Sequence, residues 1–208
     1  MDYSWVAQVA PAVIATSKDL VLAGAAVCTT FFAWKALTKW REETIGKRRL
    51  ELAEDVLSGF YHVREIIQDA RAPLILASEM VREEGVPDDV VRSSAYGPVR
   101  RLRYSFDKIL DLRTKRHRFA AVFGVRATEP WTEIETILRE ISTASDMLLQ
   151  ARHLSIPPSD PSATFYDGQR KILARGSDDD PITPRLDAAV DAIEAVCTPI
   201  IRASARRA

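Results

Sequence analysis

Three histidines, two cysteines and several spaced carboxylates are the side chains of this sequence that could make a chemical site. Their spacing argues against one. His62, His117 and His153 stand in separate segments without metal-ligand spacing, and no CxxC, HExxH or paired-carboxylate repeat accompanies them. Arg113 and His117 are separated by three intervening residues, whereas the nuclease motif of helical toxin-type domains has a longer gap. Cys28 and Cys197 are far apart, each in an apolar stretch, which is no disulfide framework and fits a reducing compartment. Cys197 lies on an apolar stripe with no basic neighbour to activate it, the setting of an inert core thiol. Glu51, Asp55, Glu65 and Asp69 share one helix face, but that face is opposite the apolar one and forms no inward di-iron-type cluster. Glycine-rich phosphate loops are absent. No catalytic residue, metal ligand or cofactor is assigned, and the sequence favours a non-enzymatic protein.

The concentrated chemical feature is positive charge. Arg100, Arg101, Arg103, Lys108, Arg113, Lys115, Arg116, Arg118 and Arg126 share their stretch with only two acids, Asp107 and Asp111. We take Arg100, Arg101, Arg103, Lys115, Arg116 and Arg118 as candidate contacts for an anionic partner, such as lipid headgroups or an acidic protein surface. The competing expectation is that several pair with Glu133, Glu135 and Glu140 within the fold, where each surface pair contributes little. Stacking aromatics do not interleave with these cations, which disfavours nucleic acid. Across the chain 29 basic and 29 acidic residues cancel, so any electrostatic recognition is local.

The elements that must carry these residues are helical. Glycine is scarce and no run alternates apolar with polar residues, so strands have no place to form. Leu20 to Trp34 carries no charge, and the apolar character resumes after Lys35. A helix from Leu20 to Thr38 would reach ~28 Å, enough for a hydrocarbon core. Leu20, Val21, Leu22, Val27, Phe31, Phe32 and Trp34 are its membrane-spanning candidates, with Tyr3, Trp5 and Trp40 as interfacial aromatics. A buried core helix is the alternative. Lys35, Lys39, Arg41, Lys47, Arg48 and Arg49 follow the run, and only Lys18 precedes it. This bias places the N-terminus outside and the remainder in the cytoplasm.

Beyond the run, apolar residues advance by alternating steps of three and four. Ala53, Val56, Phe60, Val63, Ile67, Ala70 and Leu74 form one stripe, and Pro73 ends or kinks its helix. A second helix is expected over about 99–123, with Val99, Leu102, Phe106, Ile109, Leu112 and Phe119 inward and Gly124 as terminator. A third runs from about Thr128 to His153 through Trp131, Ile134, Leu138, Ile141, Met147 and Leu148. The last begins after Thr183 and carries Leu186, Val190, Ile193, Cys197 and Ile200. None can hide its stripe alone, so a four-helix-type bundle is expected.

Trp40-Arg41, Gly46-Lys47, Glu51-Leu52-Ala53, Leu57, Tyr61, Arg64, Ile67, Arg71 and Pro73 resemble a segment of an uncharacterised family of bacterial proteins. In that family a short N-terminal membrane helix runs into a cytosolic helix. The closing helix, with Leu186, Val190, Ile193 and Pro199, is similar in placement. The likeness covers about the first third and last tenth of the chain. It implies bacterial inner-membrane topology and no known activity.

The expected fold is therefore all-α, with one N-terminal transmembrane helix before a cytosolic bundle. Residues 1–17 read as a short extracytoplasmic segment and 18–45 as the span and its basic flank. Residues 46–154 read as the main bundle, 155–183 as a flexible Pro/Ser/Asp-rich linker, and 184–208 as the closing helix with a basic tail. The expected role is a membrane-tethered interaction module, an adaptor or scaffold. Its partners are the lipid bilayer and either another protein or a second copy. The alternatives are an effector or enzyme whose site is assembled from distant residues, and a sensor touching anionic lipid through its basic helix.

Overall fold

Alternating steps of three and four commit a stripe to one side of a helix, and a computed structural model shows what each stripe covers. The structure describes residues 4–73, 83–154, 157, 159–176 and 179–206, with side chains placed at Ala25 and from Cys28 onward. The protein is all-helical. Among the described residues there are seven α-helices and no strand: α1 (Ser4–Ala70), α2 (Asp88–Val91), α3 (Gly97–Tyr104), α4 (Phe106–Phe123), α5 (Glu129–Gln150), α6 (Pro161–Leu173) and α7 (Thr183–Ala205). The chain divides into two compact units, Met1–Arg48 and Arg49–Ala208.

The first unit consists of the opening of α1. Every side chain from Cys28 to Leu37 is exposed. The expected membrane span gains no support here, because among the described residues no helix is long and apolar enough to cross a membrane. Beyond Trp34 the apolar character is interrupted by Lys35, Lys39, Arg41, Glu42 and Glu43. The side chains of Leu20, Val21, Leu22 and Val27 lie outside the described residues.

The second unit is built on the stripe of α1. Ala53, Val56, Phe60, Val63, Ile67 and Ala70 are all fully buried; Leu74 lies outside the described residues. Opposite them α7 buries Leu186, Val190, Ile193 and Cys197, with Ile200 half-buried. Tyr61 of α1 donates to Glu194 of α7 across 2.6 Å. Helix α5 supplies Trp131, Ile134, Ile137, Ile141 and Ala144. Ile137 and Ala144 take the inward places expected for Leu138 and Met147, which lie at the margin. Trp131 is the centre of an aromatic cluster, edge-on to Phe60 at 4.7 Å and 5.1 Å from Phe119. Its indole N–H donates to the Leu112 carbonyl at 3.0 Å, so the ring is buried without an orphaned donor. Gly59 lets α4 approach α1 closely: a Cβ there would stand 3.0 Å from Leu112 Cδ1.

The helix expected over 99–123 is broken. Ser105, with φ −104° and ψ 11°, separates α3 from α4. The break changes the facing of the residues downstream. In one uninterrupted helix Phe106 would stack a turn beyond Leu102 and point inward; here Leu102 is buried and Phe106 is 55% exposed.

The Pro/Ser/Asp-rich stretch expected to be a linker contains α6, which packs against α5. Asp160 caps it by accepting from the Ser162 amide at 2.8 Å, and Pro161 fits the first turn. Its other end is held by Arg71, which is completely buried. The Arg71 guanidinium donates to the carbonyls of Ile172 (2.7 Å), Ala174 (2.9 Å) and Lys171 (3.3 Å), to Asp180 Oδ1 (2.6 Å) and to Thr183 Oγ1 (3.3 Å). One side chain at the end of α1 thus satisfies the last carbonyls of α6 and fixes the approach to α7. Arg101 plays a similar part for α1, donating to the carbonyls of Asp69, Ala70 and Ala72.

Burial works to raise the pKa of Asp180. Hydrogen bonds from Arg71, Thr183 Oγ1 and the amides of Ile182 and Thr183 outweigh it and hold the carboxyl well below its ordinary value. Arg71→Ala takes the charged donor from that carboxylate, which keeps the Thr183 hydroxyl and two amides, and removes the side-chain donor of the α6 carbonyls. It should cost roughly 3–5 kcal/mol in a urea titration at neutral pH. Because the folded pKa is depressed, the contribution of Asp180 is complete above its unfolded value and lost as pH falls below about 4. Asp180→Asn should flatten that limb of the stability curve; an unchanged acid limb would show that other carboxylates set it.

Candidate functional site

The residues most capable of chemistry do not converge. His62 and His117 are on α1 and α4, on separate helices, and His153 meets Asp89 at 3.5 Å beside Arg152. Among the described residues no three His, Cys, Asp or Glu side chains come together as a metal set. Cys197 is buried on α7, and burial pushes its thiol up to about 11, so it stays protonated.

The basic residues are largely engaged within the fold. Arg100 is buried and 3.6 Å from Glu83, which Arg103 also meets at 3.0 Å. Arg101 serves the end of α1. Lys115 reaches Asp111 at 3.0 Å and Asp55 at 3.7 Å. Arg113 and Arg116 both pair with Glu135, at 3.2 and 3.5 Å. Glu133 and Glu140 turn instead to α7, where Arg185 holds both at 2.7 Å. The hydrogen bonds to Glu140 and Glu133 raise the Arg185 pKa, with burial opposing them. Arg118 is exposed and borders an acidic hollow with Glu51, Glu54 and Asp55.

Several hollows open among the described residues of the second unit, and two of them lie along α5. One, of about 560 Å³, runs between α5 and α7 over Ala188, Ala189, Ala192 and Val196, with Arg126, Glu129, Glu133 and Arg185 at its edge. Of these, Glu133 and Arg185 are already tied to each other. The other, of about 390 Å³, runs between α4 and α5. Leu112, Trp131 and Ile134 form its floor. Phe106, Ile109 and Arg113 form one wall, and Glu135, Leu138, Arg139 and Ser142 the other. The α5 wall has the i, i+3, i+4, i+7 spacing of one helix face, so its four side chains line the groove together. Phe106 (55%) and Leu110 (43%) stand exposed on α4.

Of the basic residues singled out from the sequence the α4/α5 groove contains only Arg113, and none of the six taken as anionic-partner contacts. Sequence reasoning misses its walls because Phe106 and Leu138 fit inward stripes. The remaining clue is α4's excess of apolar residues, with Ile109 and Leu110 adjacent where one stripe needs only one of them. Comparison with protein-family models, curated proteins and solved structures gives no match.

If Phe106 is a wall and Phe119 is core, truncation separates them. Phe119→Ala should cost about 3–5 kcal/mol. Phe106→Ser should cost no more than about 1 kcal/mol. Equal losses in paired urea titrations would mean that Phe106 packs inside and that the groove is closed.

Proposed function

We propose that the chain is a membrane-tethered, non-enzymatic interaction module, an adaptor or scaffold. In this reading the opening of α1 is the anchor and the α4/α5 groove receives a helix. One observation carries it. Phe31, Phe32, Trp34, Leu37, Trp40 and Ile45 are each at least half exposed along one stretch of α1. Isolated exposed apolar residues are ordinary, but six large ones within fifteen positions call for a cover. Lipid is a cover that suits the polar atoms of this stretch. Thr29 Oγ1 donates to the Ala25 carbonyl at 2.8 Å and Thr38 Oγ1 to that of Lys35 at 2.9 Å, so these hydroxyls ask nothing of the surroundings. The uncharged run upstream from Leu20 supplies length, and Trp34 and Trp40 suit a headgroup region.

The basic residues after this stretch favour a cytoplasmic second unit and an N-terminus outside, as in a bacterial inner membrane. The resemblance of Trp40 to Pro73 to membrane-linked bacterial segments points the same way. The engagement of Arg100, Arg101, Arg103, Lys115 and Arg116 within the fold weighs against the lipid-sensor alternative.

Fractionation of cells making the full chain tests the tether. The protein should pellet with membranes, resist alkaline carbonate and be released by detergent. A double change, Leu22→Glu with Phe31→Glu, should move it to the supernatant, since an acid near a helix centre costs about 3 kcal/mol on insertion. Wild-type protein in the supernatant of a detergent-free lysate would end this reading.

A further inference from the structure

We infer that the α4/α5 groove is occupied by α4 of a second copy of this chain, across a two-fold axis. The inference rests on the interaction-module reading and names its partner. The groove asks for a helix with apolar residues one turn apart and carboxylates along one side, because its floor is apolar and Arg139 stands on its α5 wall. The first turns of α4 offer that pattern. Phe106 and Leu110 are four apart and exposed, and Asp107 and Asp111, also four apart and exposed, run along one side of them.

Arg113 and Glu135 are tied to each other across the groove, but the other charges at this surface are not consumed by the fold. Asp107 is exposed and Arg139 lies on the open wall of the groove, and neither makes an ion pair with another described residue. Asp111 is engaged only by Lys115 among the described residues and is 62% exposed, so a second cation can reach it. The ridge and the groove belong to the same surface and share Phe106, as a two-fold contact requires: what one copy inserts, it also receives. A groove for an unrelated acidic helix would have no need of a matching acidic ridge beside it. The break at Ser105 creates the ridge, because it turns Phe106 out of the core.

One ridge in one groove is at the small end of specific interfaces, so pairing in free solution is weak. Confinement of both copies by their anchors raises the effective concentration to about the millimolar range.

The test uses two full-length variants in density-matched detergent micelles, followed by sedimentation equilibrium. The ridge variant carries Asp107→Lys and Asp111→Lys; the groove variant carries Arg139→Glu. All three positions are on the surface, and unchanged helical circular dichroism and melting confirm that each variant folds. Wild type should show a monomer–dimer equilibrium. Each variant alone should dimerise at least about tenfold more weakly, since like charges then meet in both halves of the contact. Mixed one to one, the two variants should recover wild-type affinity, because in the mixed pair each ridge meets a groove of opposite sign. A wild-type monomer overturns the pairing, as does a dimer whose affinity neither variant changes or a mixture that stays monomeric. A monomer that still pellets with membranes removes the pairing and leaves the tether. A pairing chain found in the supernatant does the reverse.

Discussion

A buried guanidinium needs as many acceptors as it has donors, and the second unit is arranged around meeting that need for Arg71. Its acceptors are the final carbonyls of α6, the carboxylate of Asp180 and the hydroxyl of Thr183. Those groups have matching needs: a helix C-terminus leaves its carbonyls without partners, and Asp180 is too enclosed to rely on water. Three parts of the chain, none complete alone, therefore satisfy one another. In return the Arg71 carbonyl accepts the amide of Arg175 at 2.9 Å. With α6 fixed against α5 and α7 started at the right place, the apolar stripes of α1, α5 and α7 meet in register.

The apolar stripes are legible in the sequence because burial is encoded locally, by spacing. Ala53 to Ala70 and Leu186 to Cys197 repeat every three or four residues, and both stripes are buried throughout. Anything that depends on pairing at a distance is not legible. Arg71 and Asp180 are 109 positions apart, and a lone arginine near the end of a helix looks like any solvated cation. The same holds for Glu133 and Glu140, which face Arg185 on α7 rather than the basic helix next in sequence.

Two local features mislead for different reasons. Asp160-Pro161 is a sound helix start, but the surrounding prolines and serines outweigh it in composition and give α6 the look of a linker. Ser105 carries no breaker signal comparable to proline or glycine, so nothing foretells the interruption that displaces Phe106. The grooves depend on such small departures from regular helix. A continuous helix would have closed the α4 side over Ile109 and Leu112 with one more aromatic ring.

The four tryptophans are Trp5, Trp34, Trp40 and Trp131, and only Trp131 belongs to the second unit. Enclosed between Phe60 and Phe119, with its indole N–H bonded to a backbone carbonyl, it sits in a dry and rigid setting. Trp34 and Trp40 are more than half exposed. Intrinsic emission therefore separates into two colours with separate meanings. The blue component reports the integrity of the aromatic cluster, and the red component reports what surrounds α1. Iodide or brominated lipid would quench the second while leaving the first untouched, so one cuvette can follow folding and surroundings independently.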